Sequence, residues 1–418
     1  MAGPEAARPL PASGRQRLRP RPRLMFHVKQ RRIPGLLALS VLVLLSATAC
    51  AQAAGARGWA GAVQENNLLL VSPSGGHLAA INRDGSQAWR FPDFWRIADG
   101  RADNLRAIYG EPVFSADGRV VFVGDYNGYV YAFRPSDYQE GVTAESPPAA
   151  SLKLNGAVIG GLALDAPTDT LYVTSGKRVY SIRASEFAKR IDDRNASVRT
   201  AVLFEAGDDI WSTPVLEDGK LLVTSLDGGL YALDPVTGSV AWTFRAEKGL
   251  ASTPLVTGST VLVSGFGSAL YAVDADSGSL KWSFSASHWI WGRAAVDSGT
   301  AYVADFAGNV YAIDLGSGSQ RWTLDVGRGP LRASPAFLRG TLVVGSDDGW
   351  LVGIDPSTQA KRWEKKLDAS LNADLGVAGD QVLIAPSRCV RPDPDAERIY
   401  YTRVDPVSGE LQGTEAIC

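Results

Sequence analysis

The stretch GGLYALDPVTGSVAWTF, residues 228–244, decides the fold, because close copies of it return twice in the chain. The copies are SALYAVDADSGSLKWSF at 268–284 and GNVYAIDLGSGSQRWTL at 308–324. Each copy predicts a β-strand, a tight turn and a second strand that ends in an aromatic plug. Self-similarity of this kind marks a repeat architecture in which each copy is one structural unit.

Two markers count the repeat units. The first marker is the position of Tyr231, and the matching positions are Ala79, Tyr131, Tyr180, Tyr231, Tyr271, Tyr311, Val352 and Thr402. The intervals between them are 52, 49, 51, 40, 40, 41 and 50 residues. A second marker lies about 16 residues upstream of each, as TPV at 213–215, TPL at 253–255 and SPA at 334–336, with weaker copies EPV, GLA, RAA, GAV and DLG. Both markers predict eight units.

Each unit divides into four short strands. In the fourth unit they are STPVLED, KLLVTSL, GLYALD and SVAWTF, and turns rich in Asp and Gly separate them. Four strands at a period of 40 or more residues are typical of a propeller blade. The sequence therefore predicts an all-β fold, namely an eight-bladed β-propeller of four-stranded antiparallel blades that follows an N-terminal signal segment.

A tryptophan recurs in the predicted outer strand. Because it repeats in register with the fold, we expect it to pack as a wedge between blades rather than to stack on a ligand. The residues are Trp89, Trp242, Trp282, Trp322 and Trp363. Units one to three and eight carry inserts, which provide either specificity or harmless loop growth. The insert at 183–200 predicts a short helix over SEFAKRI, residues 185–191.

Residues 1–49 are predicted to be a lipoprotein signal peptide. A basic run at 27–32 precedes an uncharged apolar stretch at 34–49, which is shorter than the roughly 20 residues of a spanning helix. The stretch ends in LSATAC, and this sequence resembles a bacterial lipobox, which implies lipid attachment at Cys50. The alternative is an ordinary signal peptide cut near AQAAGA. The Arg- and Pro-rich stretch before Met25 has no structural logic, and this indicates a true start at Met25.

The remaining chain divides into a short linker at 50–58 and the propeller at 59–418. Residues 1–33 hold nine of the Lys and Arg residues and one acid, which leaves 33 basic and 43 acidic residues, a net charge of −10. A domain with this net negative charge is a poor candidate for nucleic-acid binding. In an exported chain, Cys389 and Cys418 are best explained as a disulfide, with two free thiols as the alternative.

Candidate catalytic residues are scarce. Past the signal segment the only histidines are His77 and His288, and the sequence has no Ser-His-Asp order, no metal-binding His pair and no Gly-rich phosphate loop. Turn sequences such as DYNG and SDDG lack the spacing of a calcium loop. We therefore expect no catalytic residue, no metal site and no cofactor.

A column of residues at the start of the inner strands is predicted to ring one mouth of the central channel. The column contains Trp59, Tyr109, Ile159, Trp211, Ala251, Trp291, Arg332 and Asn372. Loops on the same face add Phe94, Trp95, His288 and Trp289. Aromatic side chains with an Arg and an Asn suit a flat ligand, a sugar or a peptide. The alternative is that they simply plug the funnel.

The segment LYALDPVTGSVAWTF resembles the repeat of the PQQ-like β-propeller family, which includes the quinoprotein dehydrogenases and the BamB-type lipoproteins of outer-membrane protein assembly. The resemblance covers nearly all of 59–418 and implies the fold, since the repeated residues are structural. It also implies what a dehydrogenase needs: PQQ between a Trp and a disulfide of adjacent cysteines, with calcium. Cys389 and Cys418 are not adjacent, which argues against that activity.

Three functional hypotheses follow. The first is a lipid-anchored, extracytoplasmic and monomeric ring that binds other envelope proteins as a non-catalytic scaffold, in envelope protein assembly by analogy. It would touch the bacterial cell membrane or outer membrane only through its anchor. The second is a PQQ-dependent dehydrogenase, and the third is a sugar- or peptide-binding lipoprotein that uses the funnel mouth. Fold alone does not choose among them.

Overall fold

The computed structural model describes residues 63–65, 68–72, 78–82, 87–91, 107–138, 149–367, 369–384, 388–389 and 402–412. All of them belong to the second of two units into which the chain divides, residues 50–418. Outside the described residues lie the predicted signal segment and linker, with Cys50, Trp59, His77, Phe94, Trp95 and Cys418. Within the described ranges, no helix combines the length and the apolar character needed to cross a membrane.

The first four blades are four-stranded antiparallel sheets, each built from consecutive strands. Blade 1 contains β1 (Val63–Glu65), β2 (Leu68–Val71), β3 (Leu78–Ile81) and β4 (Gln87–Phe91). Blade 2 contains β5 (Val113–Phe114), β6 (Val121–Gly124), β7 (Tyr129–Phe133) and β8 (Ala149–Lys153). Blade 3 contains β9 (Leu162–Asp165), β10 (Thr170–Ser175), β11 (Arg178–Arg183) and β12 (Thr200–Glu205). Blade 4 contains β13 (Val215–Glu217), β14 (Lys220–Thr224), β15 (Gly229–Leu233) and β16 (Val240–Arg245).

The last four blades repeat this order. Blade 5 contains β17 (Leu255–Thr257), β18 (Thr260–Ser264), β19 (Ala269–Asp274) and β20 (Leu280–Ser285). Blade 6 contains β21 (Ala295–Asp297), β22 (Thr300–Ala304), β23 (Asn309–Asp314) and β24 (Gln320–Asp325). Blade 7 contains β25 (Ala336–Leu338), β26 (Thr341–Gly345), β27 (Trp350–Asp355) and β28 (Ala360–Lys366). A two-stranded pair, β29 (Ala369–Ser370) with β32 (Arg388–Cys389), accompanies blade 8, which contains β30 (Gly376–Ala378), β31 (Gln381–Ile384), β33 (Thr402–Val404) and β34 (Leu411–Gln412).

The marker at Tyr231 keeps one register throughout the blades. Tyr231 pairs with Val223 of the second strand, and Tyr271 pairs with Val263 in the same way. The third strands of all eight blades carry the matching residue, from Ala79 in β3 to Thr402 in β33. The predicted eight four-stranded blades are confirmed.

The core lies between neighbouring blades. Leu222 and Leu230 of blade 4 pack with Val263 of blade 5 in one apolar cluster, and equivalent clusters follow around the ring. The outer-strand Trp242 belongs to the same cluster and is buried. Its indole packs beside Gly278 in the next blade, where an added Cβ would lie 2.6 Å from the ring. The tryptophans are therefore wedges between blades, as the repeat predicts.

The first and last blades lie side by side and close the ring. The first strands of neighbouring blades approach one another, so they lie nearest the axis, and β1 of the first blade approaches β30 of the last. Each described sheet takes its strands from one continuous part of the chain, so the two terminal blades share no strand. Closure between them therefore rests on packing rather than on a common sheet.

Two inserts pack together on the rim of blades 2 and 3. A helix, α1 (Ala184–Lys189), follows β11 and buries Phe187 completely, close to the predicted position but ending before Ile191. A 3₁₀ helix (Pro135–Tyr138) follows β7. Arg134 beside it binds Asp192 of the other insert through two hydrogen bonds of 2.7 and 2.9 Å. The described parts of the two inserts thus contact one another.

Candidate functional site

The predicted column lines a cavity at one mouth of the channel. The cavity holds about 240 Å³, and of the column it includes Tyr109, Ile159, Trp211, Ala251, Trp291 and Asn372. Each of these residues lies three or four residues before the first strand of its blade, so the ring arranges the sequence column as a collar of side chains. Trp59, Phe94 and Trp95 lie outside the described residues, so the structure places no side chain for them.

Arg332, His288 and Trp289, which the sequence predicts at the same mouth, are not among the residues that line this cavity. Nε of Arg332 lies 2.9 Å from Oδ2 of Asp347, and its guanidinium lies 4.8 Å from the ring centre of Phe306. The ion pair and the aromatic contact therefore hold Arg332 beside the collar. Burial raises the pKa of Asp347, and the nearby Arg332 opposes that rise.

His288 and Trp289 instead belong to an aromatic cluster outside the cavity. We call it the mouth patch, and it consists of Phe266, His288, Trp289, Trp291, Phe306 and Arg332. The ring of Phe266 meets those of Trp289 and Trp291 edge to face, with centroids 5.4 and 5.5 Å apart. The ring of His288 stacks on that of Phe306 at 5.9 Å. The patch joins the collar through Trp291, whose ring centre lies 5.8 Å from that of Trp211.

Phe266 and Phe306 were not predicted as site residues. They lie in the turns between the second and third strands of blades 5 and 6, in the sequences GFGS and DFAG. Tyr126 of DYNG occupies the same turn in blade 2, where its ring contacts Tyr109 of the collar at 5.6 Å. The available signal was an aromatic residue at a turn position that favours Asp, Asn or Gly.

A second, polar ring lies two residues further along the chain, at the first position of the TPV-type marker. Its members in the described blades are Glu111, Gly161, Thr213, Thr253, Arg293, Ser334 and Asp374, and all of them line the cavity. The backbone N–H of Gly161 donates to Oγ1 of Thr213 at 2.7 Å, and that of Ser334 donates to Oδ1 of Asp374 at 2.9 Å. In these pairs the marker therefore links blade 3 to blade 4 and blade 7 to blade 8.

Three members of this ring are ionisable, and sequence analysis missed them because they occur in weak copies of the marker. Glu111 opens to the channel but is surrounded by protein atoms, and this loss of solvent raises the pKa of its carboxyl group. The charge of Asp374 raises that pKa further, whereas Arg293 lowers it. The signal that could have found them is a charged residue where other blades carry Thr or Ser.

The described residues offer little for catalysis. Nowhere in these ranges do three His, Cys, Asp or Glu side chains come close enough together to hold a metal ion. Cys389 lies in β32, but its predicted partner Cys418 is outside the described residues, so the disulfide stays a prediction. The geometry that stands out is the collar, the polar ring and the mouth patch, which are suited to binding.

Comparison with known proteins agrees with this architecture. A family model described as outer membrane protein assembly factor BamB matches residues 160–334 and 306–412. BamB from Moraxella catarrhalis, a crystal structure, is similar with a TM-score of 0.61 and 15% identity, over 79% of this chain and 92% of that one. The computationally designed Ika8 protein is similar with a TM-score of 0.61 and 13% identity, over 79% and 94%. At these identities the two structures establish the fold alone, and no curated protein matches the sequence.

Proposed function

This chain belongs to the PQQ-like β-propeller family whose model is described as outer membrane protein assembly factor BamB, and from that membership we propose that it is a protein-binding scaffold of the cell envelope. We propose further that it is non-catalytic, that it acts in envelope protein assembly, and that a lipid on Cys50 anchors it on the extracytoplasmic side of a bacterial membrane. Its partners are then other envelope proteins, and its body meets the membrane only through the anchor.

The mouth patch is the observation that carries the proposal. His288 is exposed, and Phe266, Trp289 and Phe306 are each only partly buried. Protein interfaces are enriched in Trp, Phe, Tyr and Arg, and their energetic centres are large aromatic side chains with apolar neighbours. A ring of eight packed blades holds these side chains on a rigid frame, so little conformational entropy is lost when a partner binds.

The dehydrogenase alternative fits the channel poorly. The cavity of about 240 Å³ is smaller than the roughly 300–1,000 Å³ of typical cofactor and ligand pockets. The ring of Trp211 is in contact with that of Trp291, with centroids 5.8 Å apart, and among the described residues no sulfur-bearing side chain lines the cavity. These residues do not fit PQQ, so we derive no redox step. A calorimetric titration with PQQ and calcium tests this alternative, because saturable micromolar binding would favour it.

A pull-down from the native envelope tests the scaffold proposal. The full-length protein, extracted in mild detergent after crosslinking, is expected to recover components of outer-membrane protein assembly. Replacing Trp289 and Phe306 together by Ala should lower that recovery by about tenfold or more, since each buried aromatic anchor contributes on the order of 2 kcal/mol. Thermal unfolding of the variant should confirm that the ring is intact.

Matched controls lie on the outer strands of the same molecule. Val240 and Leu280 are 47% and 50% exposed in β16 and β20, far along the blades from the mouth. Their replacement by Ala also removes exposed apolar atoms, but away from the mouth patch, and should leave recovery unchanged. Equal recovery of assembly components by the wild type and the Trp289, Phe306 variant would refute the role of the mouth patch.

The lipid anchor has a separate test. Mass spectrometry of the mature N-terminus is expected to find a diacylated Cys50, and Cys50→Ser should release the protein from the membrane fraction. An unmodified Ala or Gln at the mature N-terminus would exclude the anchor, and it would leave the binding role of the propeller face to be judged on the pull-down alone.

A further inference from the structure

The polar ring in the channel departs from its own repeat at three charged positions. In the regular units, a marker hydroxyl accepts a backbone hydrogen bond from the preceding blade, as Thr253 does from the N–H of Thr213 at 3.2 Å. Arg293 has no oxygen with which to continue this linkage. Where a residue breaks the rule of its repeat in this way, a functional role is the expected reason.

Two of these charges face each other across the cavity. Glu111 precedes the first strand of blade 2 and Arg293 precedes that of blade 6, and blades 2 and 6 are diametrically opposed in a ring of eight. Both side chains line the same cavity. Within the described part of the chain, neither the carboxylate of Glu111 nor the guanidinium of Arg293 takes part in a hydrogen bond or an ion pair.

Opposite charges that are held apart across a small cavity leave a gap for a bridging ligand. Asp374, in blade 8, lies two blades from each of them and adds a second carboxylate. Direct contact between Glu111 and Arg293 would have satisfied both groups, since partly desolvated charges are costly when unpaired. The gap therefore matches a molecule with a cation at one end and an anion at the other.

The collar sets the size and character of that molecule. Tyr109, Trp211 and Trp291 form apolar walls, and Nε1 of Trp211 is a buried donor that has no acceptor among the described residues. A free amino acid fits a cavity of about 240 Å³.

We propose that the channel mouth binds a free α-amino acid with an apolar side chain. Its ammonium group binds Glu111 and Asp374, its carboxylate binds Arg293, and its side chain packs against the contacting indoles of Trp211 and Trp291. Charge-assisted hydrogen bonds at both ends provide affinity and orientation. This binding function goes beyond the scaffold proposal, and of the mouth patch it uses Trp291 but neither Trp289 nor Phe306.

Calorimetric titration of the full-length protein in detergent tests the proposal with three matched probes. L-leucine carries both charges, 3-methylbutylamine lacks the carboxylate, and 4-methylpentanoate lacks the ammonium group. L-leucine is expected to bind about tenfold or more tightly than either analogue, because each analogue loses one charge-assisted contact. Equal affinity for L-leucine and the amine would overturn the proposal, since Arg293 would then contribute nothing.

Two charge-neutralising variants separate the two ends of the ligand. Glu111→Gln should weaken L-leucine and the amine by about tenfold and leave the acid unchanged, and Arg293→Gln should weaken L-leucine and the acid by a similar factor. Glu217→Gln and Arg194→Gln make the same charge changes at exposed positions away from the channel and should have no effect. Unchanged L-leucine binding in both channel variants would refute the assigned contacts.

A panel of the other standard amino acids covers the choice of side chain. If neither L-leucine nor any of them binds at about 10 mM, the proposal is wrong. The pull-down separates this outcome from the scaffold proposal, because Glu111→Gln should capture the same envelope partners as the wild type. Lost partner capture with intact amino-acid binding would refute the scaffold and leave the channel site in place.

Discussion

Nε1 of Trp242 donates a hydrogen bond of 3.1 Å to the carbonyl oxygen of Ala275, across the boundary between blades 4 and 5. Trp282 makes the same bond to Leu315 at 2.9 Å in the next pair of blades. In each case the indole lies against a glycine of the neighbouring blade, and the wedge thus combines apolar packing with a fixed polar contact.

Replacement of Gly278, which lies against the Trp242 indole, is predicted to destabilise the protein more than replacement of a glycine that has no such neighbour. Gly278 and Gly299 have positive φ angles of 71° and 74°, but an added Cβ would meet the ring of Trp242 only at Gly278. Both alanine variants should lose roughly 1–2 kcal/mol to backbone strain, and Gly278→Ala should lose about 1–3 kcal/mol more through steric overlap. Urea unfolding of the two variants measures the difference, and equal losses would show that the wedge tolerates displacement.

The polar ring should contribute measurably to stability. Oγ1 of Thr213 accepts the hydrogen bond from the N–H of Gly161, so Thr213→Val leaves that donor without its partner. The expected loss is about 1–3 kcal/mol. Thr243 is exposed on β16, and Thr243→Val should change stability by less than about 0.5 kcal/mol. Similar unfolding curves for both variants would argue that the channel hydroxyls do not link the blades.

The aspartates of the outer turns predict loss of stability in acid. The guanidinium of Arg321, followed by hydrogen bonds from Ser317, lowers the pKa of Asp314 to about 2. A carboxyl group whose pKa is lowered by folding stabilises the protein above its usual value of 3.8, and it loses that contribution as the pH falls towards 2.

Asp314→Asn should therefore flatten the fall in melting temperature between about pH 4 and pH 2. Asp218→Asn, in an exposed turn of blade 4, is the control and should leave that fall as it is in the wild type. A variant curve as steep as that of the wild type would mean that other carboxylates govern the acid transition.

The raised pKa of Glu111 predicts the opposite dependence of stability on pH. Its pKa is raised by folding, so its ionised form destabilises the protein as the pH rises through that pKa, and the penalty is absent below the usual value of 4.5. Glu111→Gln should raise the melting temperature at pH 7 and have no such benefit near pH 3. Asp374→Asn should lower the pKa of Glu111, because it removes a charge that raises it, and carboxyl NMR titration can follow this directly. A melting temperature that is unchanged at pH 7 would contradict the loss of solvation of this charge in the folded protein.

The sequence predicts the fold because the same strand pattern occurs in eight successive units. Positions such as Tyr131, Tyr271 and Val352 lie in the third strands of their blades, and each pairs with a residue of the second strand. Hairpins depend on local turn chemistry, so each unit can be divided into strands from its own residues. The boundaries at 1–49 and 50–58 concern residues that the structure does not describe, and they stay predictions.

The site is only half visible in the sequence. The column through Trp211 and Trp291 follows the repeat and lines the cavity as a collar. Phe266 escapes notice because a turn sequence indicates backbone conformation and not which neighbouring ring its side chain will meet. Glu111 and Arg293 face each other only because eight blades close into a ring. The sequence of a single unit does not show this arrangement.

The contact between β1 and β30 has a consequence for how the chain acquires its structure. It joins residues near 63 to residues near 376, so it depends on nearly the full length of the propeller. Contacts of such large sequence separation form late, since the entropy of closing a long loop must be lost first. While the chain folds, the flank of the first blade thus stays uncovered until the eighth blade has formed, and in this interval the exposed apolar strand faces favour aggregation.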